Sequence, residues 1–406
     1  MKSLSPFVLL LLFSCGRKEV AKETATPETF NSIISAAAQQ ADLMINEVEK
    51  LERNEITNAS SRPVPVSPRT LKDGNLVLVP SRDWTSGFFP GVLWYLYEAN
   101  GEPSWMEKAR KFTSPIEEEQ WNARTHDMGF KVYCSVGNGY RLTGDTTYRN
   151  IIIQGAKTLS TRFKPAAGIL RSWDHSRDKW HCPVIIDNLM NLELLFEATK
   201  LTGDSSFYKI AVSHAITTMR NHYREDYSSY HVVDYDTITG EVLKKNTHQG
   251  YSDESAWSRG QAWGLYGYTM CYRETGDSVF LDHAEKIAGF ILNHPNLPED
   301  LVPYWDFDAP GIPAEPRDAS AASVMASALY ELSTYSSKSD YRATADKIME
   351  SLSTHYRSPV GENHGFILLH STGSKPSNSE VDVPIIYADY YFLEALLRKH
   401  KLEDIK

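Results

Sequence analysis

The tripeptide Thr-Gly-Asp occurs three times, at 143–145, 202–204 and 275–277. Each copy joins two apolar stretches of helical spacing: Phe130–Leu142 to Tyr148–Phe163, Leu189–Leu201 to Phe207–Tyr223, and Ala256–Glu274 to Val279–Leu292. Glycine after a helix supplies the left-handed residue that ends it, and the aspartate that follows caps the next helix. Two degenerate copies, Asn100-Gly101-Glu102 and Ser337-Lys338-Ser339-Asp340, fill the same slot. The repeating unit is a helix, a tight turn and a helix, and a period of such units constrains the fold more than any single motif.

Each unit's first helix has an acid near its start: Asp83, Asp127, Asp187, Asp253, Asp318 and Asp382. That gives six first helices but only five second ones, so the missing partner is sought at the front. Thr26-Pro27-Glu28 is a helix start, and Phe30, Ile33, Ile34, Ala37, Ala41, Met44, Ile45, Val48 and Leu51 recur at helical spacing. Paired with the last helix, Ile385–Leu397, this segment predicts an all-α (α/α)6 toroid, a barrel of six hairpins with the N-terminal helix closing the ring. Residues 27–406 are then a single catalytic domain.

First helices such as 184–196 are apolar on most faces and belong inside, whereas second helices such as Asp282–Leu292 carry a charged face and belong outside. Inner-to-outer turns are short and outer-to-inner connections long (54–82, 164–183, 224–252, 294–317 and 358–381), so the long connections share one rim. They bring Trp173, Trp180, Tyr230, Tyr235, Tyr251, Tyr304 and Trp305 together with Arg171, Arg177, Lys179, Lys244, Lys245, Arg317 and Lys375. Long connections on a rigid scaffold are where sites are built. On a chain with net charge −10, an aromatic, partly basic crater suits a sugar bearing negative charge, and a basic nucleic-acid protein is excluded.

The front of the chain carries one lysine, the apolar run Phe7–Phe13 and then Ser14-Cys15-Gly16. Residues 1–14 read as a lipoprotein-type signal peptide, Cys15 as the lipidated residue and 15–26 as a tether. A cleaved secretory signal with an incidental cysteine is the alternative. The expected location is the bacterial cell envelope, at the periplasmic or outer-membrane surface, with the lipid as the only membrane contact. Cys134, Cys182 and Cys271 form neither a disulfide framework nor a zinc pattern, and the histidines show no tight metal spacing, so no metal is expected.

Helix capping is the bland role for the six aspartates, and Asp253, Asp318 and Asp382 are expected to play it. Asp187 departs from it most, lying inside an apolar run four residues after Pro183. With Asn188 and Asn191 it can make a polar stripe facing the ring's centre. A buried carboxyl there has the raised pKa a general acid needs. Asp127, after His126, holds the matching place one hairpin earlier, so the two carboxyls are expected at one cavity. In the block Gln249–Trp263, Arg259 and Trp263 share a helix face, which fits either a clamp on a sugar carboxylate or an internal ion pair with Asp253 or Glu254 beside a core tryptophan.

These residues resemble the unsaturated glucuronyl hydrolases, glycoside hydrolase family 88. The resemblance is carried by Asp83–Gly91, His126–Phe130, Asp187–Asn191, Gln249–Trp263 with Trp-Ser-Arg-Gly-Gln-Ala-Trp at its end, Gly373–Pro376 and Asp389–Phe392, and it covers nearly the whole chain from Thr26. It implies an (α/α)6 barrel without a cofactor. It also implies removal of the 4,5-unsaturated uronic acid that polysaccharide lyases leave at the non-reducing end of oligosaccharides, here of glycosaminoglycan origin. Asp187 matches the acid/base and Asp127 its partner carboxylate. His126, His231, Gln249, Arg259 and Trp263 match residues around the unsaturated sugar, Trp84 and Trp173 match aromatic walls, and Ser371, Ser374 and Lys375 lie in a loop that helps accept sulfate in some members. Rival readings are an unsaturated rhamnogalacturonyl hydrolase, a non-enzymatic glycan-binding surface lipoprotein and a sugar epimerase. The epimerase would need paired central histidines, which the inner helices do not offer.

Overall fold

The structure, a computed structural model, describes residues 29–56, 66–338 and 340–404. The segment 1–14, Cys15, the tether at 15–26 and the Thr26-Pro27-Glu28 helix start lie outside the described residues. In chain order the helices are α1 (Phe30–Ile56), α2 (Phe88–Asn100), α3 (Pro103–Thr113), a π-helix (Gly129–Gly137) that continues as α4 (Asn138–Thr143), α5 (Thr146–Ser160), a 3-10 turn (Ile186–Asn191) that leads into α6 (Glu193–Thr202), α7 (Ser205–His222), α8 (Ser258–Thr275), α9 (Ser278–Leu292), α10 (Ala319–Leu332), α11 (Tyr341–His355) and α12 (Ile386–Asp404).

The inner ring runs α2, π-helix/α4, α6, α8, α10 and α12, each packed on the next, and α12 returns to α2. Inner helices are buried nearly all round: α10 keeps every residue from Ala319 to Tyr330 from solvent. Helix α1 covers the seam from outside. Its Phe30 stacks on His400 of α12 at 3.9 Å, Asp42 meets Lys108 of α3 at 2.6 Å, and Gln40 donates to Phe366 O at 2.7 Å.

The turns are built as the repeat predicts. Gly101, Gly144, Gly203 and Gly276 have φ of 70, 68, 76 and 68°, and each N–H closes the preceding helix. An added Cβ at any of the four would meet nothing within 4 Å, so the backbone angle alone selects glycine. Asp145, Asp204 and Asp277 then accept from the N–H of Thr147, Ser206 and Val279.

The acids near the inner-helix starts need correction. Asp318 caps α10, accepting from Ser320 N and Ala321 N. Asp253 instead accepts from Thr247 N in a turn well before α8, and Asp382, at φ 56°, pairs with His370 at 2.7 Å, short of α12. Two expected inner helices also start differently. Residues 129–137 widen into a π-helix, and 184–196 begins as strand and 3-10 turn. Three small antiparallel sheets lie within the long connections: β1 (Ser67–Lys72) with β2 (Asn75–Val79), β3 (Phe163–Lys164) with β4 (Ile169–Leu170), and β5 (Pro183–Ile185) with β6 (Val232–Tyr235) and β7 (Val242–Asn246). The ladder of β5 on β6 holds the chain extended up to Ile185.

The short-turn end of the barrel is filled with charge. Arg273 meets Glu193, Glu274 (3.0 Å) and Glu331 (2.9 Å), and Arg398 meets Glu331 (2.8 Å). Glu394 accepts from Tyr95, Tyr266 and Ser327. Arg273, Arg398, Glu193, Glu274 and Glu394 line a cavity of about 430 Å³ at the end away from the long connections.

Candidate active site

Strand pairing places the first two groups. Ile185 sits opposite Val232, and Ile186 N donates to His231 O at 3.1 Å. The residue after Ile186 is Asp187, so the ladder sets His231 against it, with Nε2 3.8 Å from Oδ2. His231 Nδ1 accepts from the backbone N–H of His248 (3.2 Å) and Gln249 (3.0 Å). The ring's single proton therefore belongs on Nε2, facing the carboxyl. Burial holds this imidazole well below the usual histidine range, so it is neutral, and its ring lies 4.5 Å from that of Trp257, tilted by 32°.

Burial pushes the Asp187 carboxyl up to about 7, against the pull of Arg259, with the charge of Asp127 adding to the rise. Its Oδ2, His231 Nε2 and Trp263 Nε1 are all buried without a hydrogen-bond partner among the described residues. Polar atoms so placed are costly unless something meets them.

Asp127 sits on the neighbouring inner segment, just before the π-helix. Thr125 Oγ1 donates to its Oδ2 at 2.5 Å, and His126 Nε2 lies 3.2 Å from Oδ1. Asn188 uses its amide N–H on Leu170 O (2.7 Å) and its carbonyl on His126 Nδ1 (2.8 Å). Asn191 accepts from Phe130 N at 3.0 Å. The expected polar stripe is thus corrected: Asp187 turns its carboxyl toward His231, while Asn188 and Asn191 fasten its turn to the Asp127 turn. The approach is so close that a Cβ on Gly129 would stand 2.6 Å from Asn191 Cα.

Arg259 is fully buried. It donates to Asp318 Oδ2 (2.7 Å), Thr372 O (2.5 Å) and Gly373 O (2.6 Å). Its ion pair is with Asp318 rather than Asp253 or Glu254, and three of its five N–H bonds are committed, so it is not a free clamp. Gln249 Nε2 reaches the same Gly373 O at 3.0 Å. Trp263 lies in the floor against Phe130 and Tyr391. Trp84 packs its half-buried ring on Phe88, Phe130 and Tyr387. Trp173 stands on the other wall, in contact with Trp180 and His248. Ser374 and Lys375 lie farther out: Ser374 bonds Ser377, and Lys375 is engaged by Glu315 beside Trp305.

Sequence reasoning missed Asp318 as the counter-ion of Arg259, His248 as a wall residue, and Asp306, which holds the loop by accepting from Tyr251 N (2.8 Å) and Ser255 Oγ (2.7 Å). Asp318 had one readable signal. It heads a helix that is buried almost throughout, where a carboxylate needs a cation as well as a cap.

Comparison with known proteins shows the family. The model of Glycosyl Hydrolase Family 88 matches residues 68–395. An unsaturated glucuronyl hydrolase of Formosa agariphila is 52% identical over 326 residues, covering 80% of this chain and 82% of its own. An unsaturated chondroitin disaccharide hydrolase of Streptococcus pneumoniae is 32% identical over 95% of this chain and 98% of its own. Among solved structures, an unsaturated glucuronyl hydrolase specific for heparin superposes with a TM-score of 0.85 at 45% identity, covering 93% of this chain and 99% of that one.

Proposed function

We infer the reaction from one premise: the chain belongs to glycoside hydrolase family 88. It is a glycosidase that removes a 4,5-unsaturated uronic acid from the non-reducing end of glycosaminoglycan-derived oligosaccharides. The observation that carries this reading is the buried, partnerless oxygen of Asp187 beside a neutral His231 and the Asp127 turn.

The substrate is an enol ether, C4=C5–O5. Protonated Asp187 gives its proton to C4, and the charge that develops spreads over C5 and the ring oxygen. The resulting carboxylate accepts a proton from water as that water adds to C5. The hemiketal so formed opens and releases the rest of the oligosaccharide. This is hydration of an alkene rather than displacement at C1, so carboxylate separation does not decide stereochemistry. Asp127 provides a second carboxyl at the cavity, with its orientation set by Thr125 and His126. His231 offers its Nε2–H to the sugar or to ionised Asp187. The charge of buried Arg259 steadies ionised Asp187, and Trp84, Trp173 and Trp263 shape the walls and floor.

Residues 1–14 act as a leader and Cys15 as a lipid anchor, which holds the enzyme at the cell envelope downstream of a polysaccharide lyase. Replacing Cys15 with serine should move the protein from the membrane to the soluble fraction.

The deciding assay incubates the protein with unsaturated disaccharides from heparin, chondroitin and pectin and follows the ultraviolet absorbance of the enoate. Loss is expected with the glycosaminoglycan disaccharides. No loss with any of them from folded protein would remove the hydrolase reading, and loss with the pectin product alone would move the chain to the rhamnogalacturonide class.

A further inference from the structure

A second pocket opens on the long-connection end, outside the catalytic cavity. It measures about 230 Å³ and is lined by Lys164, Arg171, Arg177, Trp180, His181 and Thr237. Three chain segments meet there: the β3 strand, the loop of residues 171–181, and the turn between β6 and β7. Lys179 and Lys244 flank it, with their ammonium groups 5.9 and 5.8 Å from the Trp180 ring.

Its charge is unbalanced, unlike the rest of this acidic molecule. The carboxylates near it are already engaged: Asp174 by Arg162 (3.0 Å) and Arg171 (3.2 Å), Asp234 by the N–H groups of His181 and Cys182, and Asp236 by those of Ile238 and Thr239. Arg177 donates to the Asp174 backbone carbonyl at 3.2 Å. Lys164, Arg177, Lys179 and Lys244 have no carboxylate partner among the described residues, although the exposed Asp178 shares their loop. On a chain with ten more acids than bases, four unpaired cations around one concavity form a local field that favours an anion.

The pocket also connects to the chemistry. Trp180 forms its inner wall and lies 5.6 Å from the His248 ring, which lies 6.4 Å from the His231 ring beside Asp187. Two ring contacts therefore lead from His231 to the basic pocket.

We propose that this pocket is a subsite for a sulfate ester carried by the leaving oligosaccharide, with Lys164, Arg177 and Lys179 as its receptors. The proposal rests on the hydrolase reading for its substrate but not for its test. Binding of a fluorescently labelled sulfated heparin hexasaccharide is measured for the wild type and for a triple variant carrying Lys164→Ala, Arg177→Ala and Lys179→Ala. Charge-assisted contacts from three exposed cations predict a Kd raised about tenfold, with the difference shrinking as salt is added. The N-desulfated, O-desulfated hexasaccharide, which keeps its carboxylates, should bind both proteins alike, and replacement by Lys164→Arg, Arg177→Lys and Lys179→Arg should restore tight binding. KM for the sulfated hexasaccharide should rise in the alanine variant while turnover of the unsulfated disaccharide stays unchanged. Equal binding of the sulfated hexasaccharide by wild type and alanine variant would overturn the proposal, as would equal weakening for the desulfated one. If no disaccharide is turned over but the binding difference holds, the hydrolase reading falls and the anion site stands.

Discussion

At the short-turn end of the barrel Arg273 meets three carboxylates, and Glu394 accepts from three hydroxyls. At the long-connection end, Asp187 Oδ2, His231 Nε2 and Trp263 Nε1 are buried and partnerless. Both ends are polar, and both are lined by the same six inner helices. The first is a closed network, where each charge is answered by the protein and the gain is a fixed ring. The second leaves donors and an acid unanswered at considerable cost. Single buried atoms without a partner also occur elsewhere, at His214, His222 and His283 for example, so what marks this end is an acid, an imidazole and an indole N–H left without partners side by side.

The sharpest way to break this contrast is to change Asp187. Asp187→Asn keeps the shape but cannot deliver a proton, and kcat should fall by about three to four orders of magnitude. The melting temperature should hold or rise, because a desolvated acid is replaced by a neutral amide. Retention of more than a tenth of kcat in folded protein would show that the acid is another residue.

The short-turn end should respond in the opposite sense. Arg273→Ala leaves Glu193, Glu274 and Glu331 without their common cation and should lower the unfolding free energy by about 3 kcal/mol. The kcat of the protein that remains folded should stay within twofold of wild type. A large loss of kcat with normal denaturant unfolding would mean that the two ends are coupled.

The same contrast separates what the sequence made legible from what it did not. The turn end could be read because its chemistry is local: Gly203 closes one helix through Thr199 O and Asp204 opens the next through Ser206 N, all within a few residues. The ring, its hairpin order and the rim bearing the site follow from that period. At the other end Asp187 was legible from its apolar surroundings, and the family resemblance marked His231. What no local pattern shows is how they meet. His231 arrives through the pairing of β6 with β5, across 46 intervening residues, and Arg259 finds Asp318 and the carbonyls of Thr372 and Gly373 from two other connections. Asp253 and Asp382 were misread for the same reason, since a cap position can be judged only when the helix start is known, and loop contacts moved both starts.

Titration gives a third test, of moderate size. The Asp187 carboxyl lies at about 7 when folded, against 3.8 for an unburied one. Protonation of C4 needs its acid form, so kcat/KM should be flat below that value and fall about tenfold per pH unit above it. The linkage runs the same way. Between roughly pH 4 and 7 the folded chain holds a proton that the unfolded chain has released, so this group makes stability fall as pH rises through that window. Asp187→Asn should flatten that part of the stability curve. An alkaline limb that persists unshifted in the residual activity of the variant would assign the titration to a different group.

The smallest effect belongs to a single turn of the repeat. Gly203 has φ 76° and open space where a Cβ would go. Gly203→Ala therefore meets no clash and suffers only the left-handed backbone, which should lower stability by about 1 kcal/mol. No change in kcat or KM is expected, because the turn lies at the end of the barrel away from Asp187. Equilibrium denaturation and the enoate assay on the same preparation check both halves. The prediction is narrow in a useful way: a fall in kcat without a fall in stability would mean that the hairpin turns transmit strain through α6 to the 3-10 turn carrying Asp187. The two ends of the barrel would then be one mechanical unit, and the separation of a stabilising end from a reactive end would fail.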